Sequence, residues 1–327
     1  MHIFADVQLA CQVSDYFSGH TSTRYFYIIS LYMLTISIDR LVKSDLHGYS
    51  FLANFYKQIV SQEVNKEFFI DFVGCQHFDA NLSAALGALL DKLSDKGYQL
   101  WLTNVRLGVK RTLSRNHFLK AFEVKTNNQE KEDFIEYKRF SRDEATSFKE
   151  YIQTGLIDKR SFPEHSIKAG NKVLESIYEI YANAIMHGKC DFVYCCGELN
   201  GVSSLLDVTI VDCGNTIPFN VNEYCKRKKL NEMNSCKAIE WSMKSGNTTK
   251  DVPGGLGLAI LQEFIMLNKG ALQIVSADGM LEYRNGITTT SFLNASFPGT
   301  IVNMEFNFND ENFYRLRSEI IDINNLL

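Results

Sequence analysis

Apolar residues in the first half of the chain switch between the spacing of helices and that of strands. Residues 51–60 have a helix-like pattern, and residues 68–72 and 98–102 form short strand-like runs. Residues 81–93 and 105–119 carry apolar positions three and four apart, which is the pattern of amphipathic helices. Helices that alternate with short apolar strands predict crossover connections on one sheet.

A second unit of structure follows a polar stretch. Residues 127–133, Asn-Asn-Gln-Glu-Lys-Glu-Asp, are the best linker candidate in the chain. Beyond them the pattern predicts a strand over 134–140, a helix over 142–154 and a long helix over 166–187. The fold class is therefore α/β, in the sense of α+β. The expected organisation is an unassigned segment of the first domain at 1–50, an α/β domain at 51–126, a linker and connecting helix at 127–160, the second domain at 161–310 and a C-terminal helix at 311–327.

The composition is that of a globular protein, and it narrows the classes of partner. Hydrophobic residues make up 45% of the chain, charged residues 22%, and the net charge is -4. No basic excess is present to attract nucleic acid or anionic lipid, so neither is an expected partner. The most apolar stretch, residues 25–38, is shorter than the roughly 20 residues that a membrane-spanning helix needs, and it predicts a buried strand or core helix.

The cysteines and the start of the sequence bear on the cellular compartment. None of the eight cysteines forms a C-x-x-C pair, and no His lies at zinc-site spacing from them. A structural zinc site is therefore not expected. The first residues lack the basic and then apolar segments of a secretory signal. We expect reduced thiols in a cytoplasmic protein.

The helix over 166–187 carries the first candidate for chemistry. Glu179 and Asn183 are four residues apart, so both side chains project from one face of the helix. An amide oxygen suits Mg²⁺, which takes oxygen ligands and keeps several waters. A neighbouring carboxylate can orient or deprotonate a water. By itself this E-x-x-x-N spacing is common, and it most often marks an exposed helix face.

Two turns are candidates for binding a base and a phosphate. The β-branched strand over 206–212 ends in Asp212-Cys213-Gly214. Its carboxylate could accept an adenine amino group, and the glycine lets the backbone come close to a planar base; the alternative is a strand followed by a plain turn. The run from Pro253 through Gly254, Gly255, Leu256, Gly257 and Leu258 leads into a helical pattern. Glycines before a helix expose backbone N–H groups that can cradle phosphate.

A fourth segment, Pro298-Gly299-Thr300, precedes strand-like residues, and Thr300 could hydrogen-bond near Asp212 and the base. In this order and spacing the four segments resemble the four boxes of the GHKL ATPase superfamily, the family of gyrase, histidine kinases and MutL. The resemblance covers roughly 161–307, and over 179–188 it is closest to the histidine-kinase and anti-sigma-kinase branch. It implies a Bergerat-type two-layer α/β sandwich with a mixed sheet, and ATP and Mg²⁺ as ligands.

The resemblance also implies a role for each residue that matches a family motif. Asn183 would coordinate Mg²⁺, and Glu179 would be the general base for hydrolysis or would orient the acceptor. Asp212 would recognise adenine with Gly214 beneath the base, and Thr300 would support this recognition. The phosphates would lie against the turn formed by Gly254, Gly255, Leu256, Gly257 and Leu258. The family's mobile lid would fall between 215 and 253, and a cation there would meet the γ-phosphate; the candidates are Lys226, Arg227, Lys228, Lys229, Lys244 and Lys250, although the run at 226–229 also fits a solvated loop.

Residues 69–104 resemble a STAS-type domain, as found in bacterial anti-anti-sigma factors. In the phosphorylated members of that family a Ser follows the Asp at the start of a helix, whereas here Asp79 is followed by Ala80. We therefore expect no phosphorylation at this position, and we expect Asp79 to cap the helix. Because such domains are docking surfaces for kinase-like domains, the resemblance implies regulation through a protein partner.

Three functions remain open. The first is slow Mg²⁺-dependent ATP hydrolysis, used as a regulatory switch that acts through the STAS-like domain. The second is a serine/threonine protein kinase of the anti-sigma-factor type, and the third is a nucleotide-gated binding module without turnover. A homodimer is compatible with the superfamily. His187 is expected to be a packed or capping residue, and no phosphoacceptor hairpin with a suitable His is visible, which disfavours an autophosphorylating histidine kinase.

Overall fold

The computed structural model describes residues 34–62, 66–122, 134–200, 203–244, 246–249 and 257–319. The first half contains β1 (Leu34–Ser37), β2 (Leu41–Val42), α1 (Leu46–Val60), β3 (Glu67–Asp71), β4 (His77–Phe78), α2 (Ser83–Asp95), β5 (Gln99–Thr103), α3 (Leu107–Arg115) and α4 (Phe118–Ala121). The second half contains β6 (Phe134–Ser141), α5 (Ala145–Ile152), α6 (Ile167–Asn183), β7 (Phe192–Asn200), β8 (Leu205–Asp212), α7 (Ile217–Arg227), α8 (Ser235–Met243), α9 (Gly257–Leu267), β9 (Ala271–Arg284) and β10 (Ile287–Asn307). Helices and strands are thus mixed throughout, and the α+β class is confirmed.

The first half forms a parallel sheet with crossover helices. Strands β1, β3 and β5 pair in that order, and both pairings are parallel. Helix α1 begins at Leu46, five residues before the pattern indicated, because the side chain of Asp45 accepts the backbone N–H of Gly48 and caps the helix. Strand β1 lies at the edge of the sheet and is mostly exposed, whereas Ile38, which follows it, is buried in the core. The described end of the 25–38 stretch is therefore a strand of which only the last apolar residue is buried.

One helix of the first half is interrupted. The pattern predicts a single helix over 105–119, whereas α3 ends at Arg115 and His117 has the left-handed φ of 63°. The cause is Asn116, the residue after α3, which is fully buried. Its side chain accepts the backbone N–H of Phe118 at 3.0 Å and donates to the carbonyl of Ala80, also at 3.0 Å. These hydrogen bonds end α3, and α4 starts after the left-handed residue His117.

The second half is built on a five-stranded sheet in the order β6-β7-β8-β10-β9. All four of its described strand pairings are antiparallel. The parallel strand pairings of the described residues, β1 with β3, β3 with β5 and β2 with β4, lie in the first half instead, which differs from the mixed sheet expected for this domain. The longest strands, β9 and β10, are joined at Asn285 and Gly286, both with positive φ. Asn-Gly is the pair that tight hairpins favour, because both positions need left-handed backbone.

Two hydrophobic cores lie on opposite faces of this sheet. Val208 and Ile210 of β8 join the core beneath α5, α6 and α9, whereas Val211 joins the core formed with α1 and α2. Successive strand residues point to opposite faces, so a sheet buried on both sides needs apolar residues at consecutive positions. The core that contains α1 and α2 is continuous from the first half of the chain to the second. The domain bounds inferred from the sequence stay a prediction.

The contact between the halves also contains a buried polar network. The side-chain amide of Asn81 donates to Thr209 Oγ1 at 2.8 Å and to Asn303 Oδ1 at 3.2 Å. Tyr49 donates its hydroxyl to Gln273 Oε1 at 2.8 Å. Buried polar groups cost free energy unless they are paired. Since each of these groups finds its partner in the other half, the network specifies one relative placement of the two halves.

The 3₁₀ turn Ala80–Leu82, which leads into α2, is capped from the second half of the chain. Asp79 is the cap that the sequence predicts for this helix, but its side chain makes no capping hydrogen bond. Its carboxylate accepts the backbone N–H of Ser44 at 2.7 Å and lies 2.6 Å from His77 Nε2. The N–H of Ala80 donates instead to Glu198 Oε2 at 2.6 Å. The expected capping role of Asp79 is therefore wrong, because a carboxylate from the large sheet occupies that position.

The C-terminal end differs from the helix expected over 311–327. Residues 311–316 are not helical, and Tyr314 forms a bridge with His165. Residues 317–319 are helical, and residues 320–327 lie outside the described residues, as does the expected linker at 127–133. Within the described ranges, no helix is long and apolar enough to cross a membrane.

Candidate functional site

A cavity of about 180 Å³ lies between α6, the large sheet and the segment that contains α7 and α8. Glu179, Asn183, Asp212 and Thr300 all line it, although they come from three distant parts of the sequence. Three apolar residues from neighbouring strands, Ile210, Ile274 and Val302, line the same space. The cavity thus joins an apolar wall to a few polar groups, which is the usual character of a small-molecule site.

Helix α6 places the first two polar residues. Ser166 caps its start by accepting the N–H of Ala169 at 3.1 Å. The stripe that includes Val173 and Ile177 is buried against the sheet, which fixes the rotation of the helix about its axis. Glu179 and Asn183 are half-buried and face the cavity one turn apart. The pair predicted from the E-x-x-x-N spacing therefore lies on one face of a well-anchored helix.

The end of this helix is widened. Residues 184–188 continue α6 as one turn of π-helix, and such turns occur frequently at functional sites. The wider turn brings His187 and Gly188 to the cavity. His187 is therefore part of the cavity wall as well as the end of a helix, and its carbonyl accepts a hydrogen bond from the Asn220 side chain at 3.1 Å.

Asp212 is the last residue of β8 and is 7% exposed. Its Oδ1 accepts the backbone N–H of Gly214 at 2.9 Å. Burial raises the pKa of the Asp212 carboxyl to about 7, and the Gly214 N–H and the Lys92 charge oppose this shift. A carboxylate held in this way costs free energy in the folded protein and can serve as an acceptor for a ligand, which marks it as a candidate functional group.

Three glycines pack closely around Asp212. A Cβ atom on Gly214 would overlap the carbonyl oxygen of Gly188, and a Cβ atom on Gly299 would overlap that of Asp212. A glycine is thus needed at position 214 because the backbone there comes close to the end of α6. The N–H of Asn215 donates to the same Gly188 carbonyl at 2.6 Å. Gly214 itself is not among the cavity-lining residues. Glycines in the D-x-G and P-G-T segments let the backbones of three chain segments meet next to Asp212.

Replacing Gly299 with Ala is expected to lower the free energy of unfolding by about 2 kcal/mol, because β10 must shift to relieve the overlap with Asp212. Urea unfolding measures the change. Gly108→Ala is the matched control, since no atom lies within 4 Å of the added Cβ. Equal stability of the two variants would contradict the close packing around Asp212.

Thr300 lies directly across the strand pair from Asp212. The two residues are partners in the register of β8 and β10. The hydroxyls of Thr300 and Ser276 are 2.9 Å apart, and Ser276 Oγ also accepts the N–H of Ile217 at 2.9 Å. The expected neighbourhood of Thr300 and Asp212 is thus created by strand register, and Ser276 extends it to the start of α7.

The segment from α7 to residue 249 covers the cavity where the family resemblance places a lid. Trp241, Asn247 and Thr249 line the cavity. The run from Lys226 to Lys229 is exposed and does not line it, which favours the solvated interpretation of these charges. Lys244 is exposed as well. In the described part of the chain, the cavity lining holds the carboxyl groups of Glu179 and Asp212 and no Lys or Arg side chain.

Much of the expected phosphate-binding turn lies outside the described residues. This holds for Gly254, Gly255 and Leu256, and for Lys250 of the lid, whereas Gly257 and Leu258 form the first turn of α9. Helix α9 packs against α6. The helix that follows the glycine-rich turn is therefore next to the helix that carries Glu179 and Asn183.

Sequence reasoning missed several lining residues. Trp241 and Asn220 belong to no motif, and only their place in the segment opposite α6 brings them to the cavity. His187 follows the E-x-x-x-N motif by four residues, one helical turn after Asn183, and that spacing could have indicated that it shares their face.

The donor atoms bear on how a metal could be held. Among the described residues, no group of three or more His, Cys, Asp or Glu side chains is placed to bind a metal ion. The Asn183 amide in the cavity provides an oxygen beside the Glu179 carboxylate. Such a set fits Mg²⁺ that keeps waters and shares phosphate oxygens, rather than a metal held in an all-protein cage.

Comparison with known proteins does not assign the chain to a family. No protein-family model matches the sequence, and the search among curated proteins found no significant match. The candidate function therefore depends on the motifs and on the geometry of the cavity.

Proposed function

We propose that the protein binds ATP with Mg²⁺ in this cavity and hydrolyses it slowly, as a regulatory switch of the GHKL type. The observation that carries the proposal is that Glu179, Asn183, Asp212 and Thr300 line one cavity. Each residue alone has an ordinary structural explanation. Their convergence supplies the separate groups that a magnesium-bound adenine nucleotide needs.

The adenine is assigned to the end of the cavity formed by β8 and β10. Asp212 offers a buried carboxylate to the exocyclic amino group, and Thr300 lies beside it in the strand register. Ile210 and Val302 provide an apolar wall for the ring. A guanine would present a carbonyl oxygen where adenine presents its amino group, and it would be repelled by the carboxylate. The site should therefore select adenine.

The phosphates are assigned to the end of the cavity formed by α6, the helix against which α9 packs. Asn183 would hold Mg²⁺ through its amide oxygen, and the ion would neutralise charge on the phosphates next to the Glu179 carboxylate. The positive end of α9, which follows the glycine-rich turn, supports binding of the phosphate chain. This division places the metal ligand and the adenine acceptor on different elements.

Glu179 is assigned the proton transfer. A water attacks the γ-phosphorus, the bond to the bridging oxygen of ADP breaks, and the Glu179 carboxylate accepts the proton of the water. Glu179 lies one helical turn from Asn183, so the base is near the metal ligand. The product pair is ADP and inorganic phosphate.

The STAS-like pattern of the first half of the chain supports a regulatory role. In this role, binding of a protein partner is the expected signal. The position that is phosphorylated in related domains is occupied here by Ala80. The segment from Ala80 to Leu82 is buried against the large sheet. Phosphorylation at this point is thus excluded by chemistry and by access, and a signal must reach the nucleotide site in another way.

Titration calorimetry with MgATP and MgGTP tests the proposed site. We expect ATP to bind at least tenfold more tightly than GTP, because only adenine can donate to Asp212. Asn183→Ala should weaken MgATP binding by about tenfold and reduce the effect of removing Mg²⁺ with EDTA. Asn171→Ala, an exposed residue on the same helix, is the matched control.

The outcomes separate the candidate functions. Absence of ATP binding by the intact chain would end the proposal. Binding of ATP with release of free phosphate supports hydrolysis. Transfer of the γ-phosphoryl group to a Ser or Thr of another protein would instead show kinase activity. Binding without turnover would indicate a nucleotide-gated module.

A further inference from the structure

Lys92, on the last turn of α2, contacts the Asp-x-Gly turn from the opposite face of the large sheet. Its Nζ donates to the carbonyl of Cys213 at 2.6 Å. Cys213 lies between Asp212 and Gly214, so the hydrogen bond from Lys92 holds the middle residue of the turn. Lys92 is half-buried, and a short charge-assisted hydrogen bond in such a place is stronger than one in water. A residue of the first half thus holds a segment of the candidate nucleotide site.

The surroundings of Lys92 leave little freedom for this contact. Its neighbour Asp91 accepts hydrogen bonds from Arg139 at 2.7 Å and from the Tyr194 hydroxyl at 2.9 Å. On the other side, Leu93 is fully buried in the core shared by the two halves. Helix α2 is therefore bound to β6 and β7 next to Lys92, and the ammonium group is directed at the end of β8.

The charge of Lys92 acts on Asp212 as well. The ammonium group favours the ionised carboxylate and so lowers the pKa of Asp212 against the effect of burial. The thiols of Cys190 and Cys213 lie close to Asp212, and burial raises the pKa of both, while the titratable side chains of Glu179 and His187 line the same cavity as Asp212. These thiols stay neutral near pH 7. Lys92 is thus the cation that offsets the buried charge of Asp212 in the described surroundings.

We propose that Lys92 is a positioning residue of the nucleotide site, and that it holds the turn from Asp212 to Gly214 in the conformation that receives the adenine. The inference rests on the proposed function, since the ligand of the site is taken to be ATP. The hydrogen bond from Lys92 to Cys213 does not depend on that proposal. With this role for Lys92, the first half of the chain is part of the nucleotide site. The family resemblance, in contrast, implies that the first half is a docking domain separate from the site. Binding of a partner that moves α2 would release this turn and change nucleotide affinity.

Hydrogen exchange of the full-length protein without nucleotide tests the positioning role. The N–H groups of Gly214 and Asn215 are bonded to Asp212 and to Gly188. In Lys92→Met we expect these amides to exchange at least tenfold faster, with β3 and β5 unchanged. Lys92→Arg should restore protection, because Arg can still donate to the carbonyl. Lys96→Met, an exposed residue one turn further along, is the matched control.

Titration of MgATP between pH 6 and pH 8.5 gives the second readout. Lys92→Met should bind MgATP about fivefold more weakly at pH 7.5, and its affinity should reach half of its plateau at a higher pH than in the wild type, since Asp212 then holds its proton more tightly. A purely structural role would lower thermal stability without moving this profile.

Unchanged exchange at 214–215 in Lys92→Met would overturn the inference, and so would a uniform rise in exchange over the whole chain. Failure of the wild type to bind ATP would remove the proposed function only. Altered local exchange in Lys92→Met would in that case still establish the positioning role toward Asp212.

Discussion

ATP turnover is expected to fall by a factor of 100 or more when Glu179 is replaced by Gln, while the affinity for MgATP stays within about twofold. The amide keeps the size and polarity of the carboxylate but cannot accept the proton of the attacking water, and the loss of a general base costs about two to four orders of magnitude in rate. An interaction that acts only in the transition state changes the rate and leaves binding nearly intact. Phosphate release and calorimetry measure the two quantities.

Helix α6 offers a matched control for this change. Glu175 lies one turn before Glu179, is exposed and pairs with Lys172 at 2.9 Å. Glu175→Gln should leave both turnover and affinity unaltered. If Glu179→Gln retained turnover, the proton acceptor would be another group and the hydrolysis mechanism given above would be wrong.

The Asp212→Asn variant is expected to bind ATP about 100-fold more weakly, because Asn carries no charge and, when its Oδ1 keeps the hydrogen bond from the Gly214 N–H, its NH₂ donor faces the adenine amino group. Hydrogen bonds to charged groups contribute roughly 1.5–3 kcal/mol, and a mismatched buried group adds the cost of an unpaired donor. The preference for ATP over GTP should disappear together with the affinity. Competition binding with both nucleotides measures this loss.

The same substitution should make the protein more stable above neutral pH. The pKa of Asp212 is about 7 in the folded protein, above its ordinary value of 3.8. A raised pKa means that the folded state holds the proton more tightly, so its stabilising effect is complete below pH 3.8 and is lost as the pH rises through 7. The Asn side chain has no such proton to lose. We therefore expect Asp212→Asn to gain free energy of unfolding over the wild type at pH 8, and the gain to shrink towards pH 4.

Urea unfolding at pH 8 and pH 5 measures that gain, and Asp191→Asn is the control because Asp191 is exposed. Weaker binding joined to higher stability separates a ligand-binding carboxylate from a structural one. A variant that lost stability at pH 8 and kept its ATP affinity would assign Asp212 to the fold alone.

Local sequence patterns are sufficient for most of the described secondary structure. Helix α2 can be predicted from its apolar stripe and strand β8 from its β-branched run, because burial of one face depends on the spacing of side chains along the element. The break between α3 and α4 cannot be predicted in this way. It depends on Asn116, whose partner Ala80 is 36 residues away in sequence.

The candidate site is also partly determined by local pattern. The order of the four motifs along the chain is enough to identify Glu179, Asn183, Asp212 and Thr300 as candidates. Spacing on one helix explains why the first two share a face. The meeting of Asp212 and Thr300 depends on the register of β8 and β10, which no local pattern determines.

By itself, the sequence determined many of the helices and strands, such as α2 and β8, and which short motifs could carry chemistry. Only the tertiary structure decided that four motif residues share a cavity, that Glu198 rather than Asp79 caps the 3₁₀ turn before α2, and that Lys92 reaches the Asp212 turn. These contacts join residues about 120 positions apart, such as Lys92 and Cys213. They exist because both faces of the large sheet are covered, and packing of that kind is a property of the whole chain.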